Sequence, residues 1–224
     1  MTRVRLVVVA CAVASAIARV GSAQPSPAGR FEVSAGVKWL GPIAVDNAVA
    51  SETAPGGGIR PLFATDTTLA GSLNASAGFG IRLTRAIRAE MAATYGTAQL
   101  RTRVTADAEQ VANTTVQTPI TQLSVEGGAL VQPSRWQGGH LQPFAAAGVG
   151  YRRQMYAGRT LIETATDVYV GGGVFYVRTS DRRRRIAATG LRIDLRDYIS
   201  RGGVLSGTTR RSAPAVSATA FVRF

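Results

Sequence analysis

Apolar and polar residues alternate along most of this chain with a period of two, the spacing of a β-strand whose two faces meet different surroundings. The first clear run is Phe31 to Leu40, with Phe31, Val33, Ala35, Val37 and Trp39 on one face and Glu32, Ser34, Gly36 and Lys38 on the other. Leu69 to Leu83 is the longest: Leu69, Gly71, Leu73, Ala75, Ala77, Phe79, Ile81 and Leu83 oppose Ala70, Ser72, Asn74, Ser76, Gly78, Gly80 and Arg82. A tight turn at Thr84-Arg85 then leads into Ile87, Ala89, Met91, Ala93 and Tyr95, so these two runs predict a hairpin. Thr121 to Val131, Leu141 to Arg152, Glu163 to Arg178 and Ala187 to Leu195 supply further strands, and Ala215 to Phe224, AVSATAFVRF, supplies the last. Between Glu163 and Arg178 both faces are apolar. Val168, Val170, Val174 and Tyr176 make the better outward face there, against Tyr169, Phe175 and Val177.

Eight strands predict an all-β protein, an antiparallel up-and-down barrel. An even count returns the chain to its starting side, so the connections must alternate between two ends. Their lengths do: Thr84-Arg85, Gln132 to His140 and Thr179 to Arg185 are short, while Gly41 to Thr67, Gln99 to Thr118, Gln154 to Leu161 and Ser200 to Ser212 are on average longer. Gly41 to Thr67, rich in Gly, Pro, Asp and Asn around Gly56-Gly57-Gly58, is expected to be one long loop. A soluble lipocalin-like calyx would put its apolar face inside. Here the charged residues share their face with Gly and Ser, which suits a narrow lumen, and the other face is aliphatic with aromatics near the strand ends. The expected fold is therefore an eight-stranded transmembrane β-barrel.

The N-terminus changes the picture once. Arg3 and Arg5 precede an apolar run from Leu6 to Ala18 and the small residues Gly21-Ser22-Ala23, the three parts of a secretory signal, so 1–23 is expected to be cleaved and 24–224 to form the barrel. Cys11, the only cysteine, lies in that segment. A lipoprotein box ending at Cys11 would split the apolar run in two, and cleavage after Ala23 leaves no thiol for a disulfide or a metal. No stretch reaches the roughly 20 apolar residues of a membrane helix. The formal charge of +13 falls to +10 without Arg3, Arg5 and Arg19, and nearly all of it is arginine. Its scatter over strand ends and turns argues against a nucleic-acid partner.

In the final stretch Val216, Ala218, Ala220, Val222 and Phe224 fall on one side, and the sequence given ends on the aromatic ring. This resembles the C-terminal signal of bacterial outer-membrane β-barrels. Gln142-Pro143-Phe144 through Gly148-Val149-Gly150-Tyr151 is similar to a run in small OmpA/OmpX-like barrels. The resemblance implies a cell outer-membrane location of Gram-negative type, outer-membrane lipid as surroundings, and recognition of Val222 and Phe224 by the barrel-assembly machinery.

The presumed inner face carries Glu32, Lys38, Arg82, Arg88, Glu90, Glu126, Arg152, Arg192, Asp194, Arg196 and Arg223. An eight-stranded barrel is only wide enough for side chains to fill it, so an interlocked ion-pair plug is expected in preference to a charged gate. Some barrels of this class are enzymes. The one histidine, His140, stands between glycines and Leu141 in a turn, and Ser134 nearby brings no carboxylate, so a catalytic triad is not expected. Nor is a metal cluster or a cofactor. Arg182 to Arg185 could meet anionic headgroups or simply be a solvated turn. The expected role is structural or surface-interacting, through the longer loops. The alternatives are a porin-like conduit for small solutes or hydrophobic compounds, and a soluble lipocalin-like periplasmic binder.

Overall fold

The computed structural model describes residues 29–53, 56–105, 113–133, 136, 139–156, 162–179, 186–202 and 211–224. The expected leader 1–23, Ser134 and the Arg182 to Arg185 run lie outside them. Ten strands follow one another: β1 (Phe31–Leu40), β2 (Ile43–Thr53), β3 (Ile59–Leu69), β4 (Ser72–Arg82), β5 (Ile87–Thr105), β6 (Thr114–Val131), β7 (Leu141–Tyr156), β8 (Ile162–Thr179), β9 (Ala188–Gly202) and β10 (Arg211–Arg223). All pair antiparallel in the order β2-β3-β5-β4-β1-β10-β9-β8-β7-β6, and β5 also pairs with β6. That last ladder closes the sheet, leaving β1 and β4 to β10 as the eight staves of a barrel. β1 meets β10 from Glu32 opposite Arg223 to Leu40 opposite Ala215.

The additional strands correct the expected loop between Gly41 and Thr67. β2 and β3 form a hairpin there, and β3 continues onto the far end of β5, from Leu69 opposite Leu100 to Ala64 opposite Thr105. The polar stretch Gln99 to Thr118 is likewise largely strand: β5 runs out to Thr105 and β6 starts at Thr114. Gly, Pro and Asp in the first segment and the polar composition of the second read as loops, yet β-ladder bonds in an extension beyond the barrel tolerate residues that its apolar wall would not. The chain also slips between β3 and β4, where Ala70 N–H bonds Gln99 instead of a regular ladder partner. As a consequence Leu69, expected outward, is buried.

The two faces sort as the alternation predicts. Val33, Val37, Leu73, Met91, Val125, Val149, Val168, Val170, Leu191, Ile193, Leu195 and Val216 are exposed on the outside. Tyr169, Phe175 and Val177 point inward, which settles the facing of β8. Outward aromatics form two groups. Phe31, Phe79, Tyr176 and Phe224 sit at the turn end, and Trp39, Tyr95 and Tyr151 at the loop end. Phe31 and Trp39 are eight residues apart on one strand, roughly 27 Å, which at a tilt of about 40° gives a band of about 20 Å between rings.

Candidate functional site

Inward side chains fill the barrel in three zones. Nearest the turn end, Phe144, Phe175 and Phe221 make an aromatic floor, with ring centroids 4.9 Å apart for Phe144 and Phe175 and 5.3 Å for Phe175 and Phe221. At the loop end Leu40, Ile43, Leu69, Ala98, Ile120 and Ala213 are buried as an aliphatic roof. Most of the charged residues lie between.

Beside the floor, at the turn end, Glu32 Oε2 accepts from Arg88 Nη1 and, at 2.7 Å, from Arg223 Nε. The Arg223 guanidinium stacks 4.6 Å from the Phe221 centroid and 4.8 Å from that of Phe175. Higher, Glu90 accepts from Arg192 at 2.7 Å and from Arg196 at 2.8 Å, one oxygen each. Arg192 also donates to Asp194 at 2.8 Å, and Ser217 to the other Asp194 oxygen at 3.0 Å. Arg196 bridges onward to Glu126 at 2.9 Å. Glu126 Oε2 then takes bonds from Lys38 Nζ at 2.8 Å and the Tyr198 hydroxyl at 2.7 Å. The result is one continuous chain: Asp194, Arg192, Glu90, Arg196, Glu126, Lys38. Below the roof, Asp167 stands apart from it, accepting from Arg152 at 2.8 Å and Ser200 at 2.5 Å.

Cavities of about 30 and 20 Å³ flank Lys38, each large enough for about one or two water molecules. Arg192 Nε, Arg196 Nε and Thr219 Oγ1, which reach no partner among the described residues, belong to residues bordering the larger. Such an arrangement holds charges in place: both oxygens of Glu90, Glu126, Asp167 and Asp194 are occupied, and rings cover the guanidinium groups of Arg88, Arg192, Arg196 and Arg223.

Of the residues singled out by alternation, Glu32, Lys38, Arg88, Glu90, Glu126, Arg152, Arg192, Asp194, Arg196 and Arg223 are buried in these three ion-pair groups. Arg82 is the exception, half-buried at the turn-end rim. Asp167 and the two tyrosines Tyr169 and Tyr198 were not singled out. His140 lies at the turn end, where its Nδ1 is 3.1 Å from the Val177 carbonyl oxygen, a structural contact. Among the described residues no group of three or more His, Cys, Asp or Glu is placed to hold a metal, and no helix is long and apolar enough to cross a membrane.

An apolar exterior around a charged interior is the reverse of a soluble calyx, and known structures agree. The outer membrane protein OprG from Pseudomonas aeruginosa superposes with a TM-score of 0.54 at 14% identity, covering 88% of this chain and 96% of that one. The fold is that of an outer-membrane β-barrel. Neisserial surface protein A (NspA) gives 0.51 at 15% identity, covering 87% and 97%. No family model matches the sequence, and no curated protein does. The likeness is one of architecture, shared with small eight-stranded barrels.

Proposed function

We propose that this chain is an integral outer-membrane β-barrel with a closed lumen, exported by its leader, and that it acts as a structural or surface-interaction protein through its loop end. The observation that carries this is the continuous ion-pair chain across the lumen, capped by the Phe144, Phe175 and Phe221 floor and the aliphatic roof. Opening a path for solutes would require breaking several buried pairs together, each costing several kcal/mol when one partner is left alone. The β2–β3 hairpin and the ends of β5 and β6 extend past the aromatic group at Trp39, Tyr95 and Tyr151, so they are the parts available to an outside partner. Val222 and Phe224, on the outer wall at the turn end, fit a terminal assembly signal on the periplasmic side.

Planar-bilayer recording tests the closed lumen. The refolded protein is expected to give no steady unitary conductance. Regular channel steps that change in size with Glu90→Ala or Arg192→Ala would replace this proposal with a charged conduit. Gel mobility of unboiled against boiled protein from washed outer membranes tests the location, with a shift expected. Recovery in the soluble periplasmic fraction with no shift would overturn it.

A further inference from the structure

We propose that the outer wall of β7, β8 and β9 at the loop end binds the phosphate groups of an anionic lipid in the surrounding leaflet. This rests on the outer-membrane location proposed above. Arg153 lies opposite Thr164 across the β7–β8 ladder, and Thr166 opposite Arg201 across the β8–β9 ladder, so two arginines bracket two hydroxyls on one surface. All four side chains are exposed and outward. Arg152, one residue before Arg153, turns inward and is bound to Asp167. Arg153 and Arg201 have no ion-pair partner among the described residues.

Their height on the wall matters. The outward residues below them, Val149, Tyr151, Val168 and Ile199, are exposed and apolar or aromatic. Passing from the waist towards the loops, Arg153 and Arg201 are the first cations on this sector. The nearest outward carboxylate, Asp197, is four residues from Arg201, about 13 Å along the strand, and accepts from Ser212 at 2.5 Å.

A guanidinium at this height lays its stem on apolar surface and lifts its planar fork to the headgroup layer. The fork matches two oxygens of a phosphate, and a threonine hydroxyl can donate to a third. A ligand that brings acyl chains beside Val149 and Val168 and phosphate beside the arginines meets both surfaces at once, which favours a lipid over a free anion.

The test uses the full barrel refolded in zwitterionic bilayer discs, titrated with lipid A as a phosphorylated glycolipid, with its dephosphorylated form, and with inorganic phosphate. Phosphorylated lipid A is expected to bind, and the double variant Arg153→Gln/Arg201→Gln to bind it roughly 30-fold more weakly. Arg178→Gln, outward at the opposite rim, is expected to match the unmodified protein. Equal binding by the double variant, equal binding of dephosphorylated lipid, or displacement by inorganic phosphate at the lipid's own concentration would each overturn the site. Gel mobility is read on the same samples. Shifted protein that ignores the phosphate overturns the site alone, while unshifted protein that stays soluble overturns the membrane location with it.

Discussion

A Cβ built on Gly148 would stand 2.6 Å from Cζ and from the hydroxyl oxygen of Tyr169, its neighbour across the β7–β8 ladder. Gly128, opposite Gly148 on β6, has the same Tyr169 hydroxyl against its Cβ position. Two glycines thus make the space in which the Tyr169 ring lies beneath Arg196, 4.6 Å from the guanidinium. Gly173 with Phe144 and Gly190 with Phe221 repeat the device at the floor. Glycine on the inner face is here the seat of an aromatic ring.

Gly148→Ala is therefore expected to destabilise the barrel by about 1–3 kcal/mol, as overpacking does in tight interiors. Urea unfolding in lipid vesicles measures this. Tyr169→Phe keeps the ring and gives up only the long 3.5 Å contact to Glu90, so its effect should be smaller. An unfolding midpoint for Gly148→Ala equal to that of the unmodified protein would contradict the packing described.

Glu126 receives Lys38, Tyr198 and Arg196. Glu126→Gln leaves buried cations short of an anion and is expected to lose roughly 3–5 kcal/mol. Adding Lys38→Met to Glu126→Gln removes one of the stranded charges and should recover part of that loss. A double-mutant cycle gives the coupling, and strict additivity would mean the pair does not interact.

Lys38 is the only lysine in the sequence and is 7% exposed. A small acylating reagent applied to the folded barrel should leave it unmodified and label it after heat unfolding, as peptide mass analysis would report. Prompt labelling of folded protein would mean the lumen admits solutes.

Leu195 faces outward at the waist of β9 and is 61% exposed. Leu195→Arg is expected to cost roughly 2–4 kcal/mol in a bilayer. Val49→Arg, equally exposed but on the β2–β3 extension, should be nearly neutral. Insertion yield into vesicles distinguishes the two, and equal yields would place both positions in water.

The eight staves and the side of nearly every charged residue were legible because alternation survives wherever a wall separates lipid from a packed interior. β8 was harder: with Tyr169 and Phe175 inside and Val168 and Val174 outside, both faces are apolar, so Asp167 went unrecognised as the partner of Arg152. The β2–β3 hairpin was illegible for a different reason. Both its faces are polar enough for water, and its Gly and Pro residues mimic a loop. Pairing within the lumen could not be read either. Period two gives a residue's side of the wall but not its height, and Glu90 meets Arg196, 106 residues away, only through the stagger of a closed barrel.

Glu32 and Arg223 are register partners on the first and last staves as well as an ion pair, 2.7 Å apart. While the chain is an open sheet, these two charges are at opposite edges and neither can neutralise the other. Joining the edges completes the final ladder and the pair in a single event. Membrane insertion and closure are thereby coupled: a half-closed form would carry unpaired charge and bare backbone into lipid, so the seam selects for all-or-none assembly.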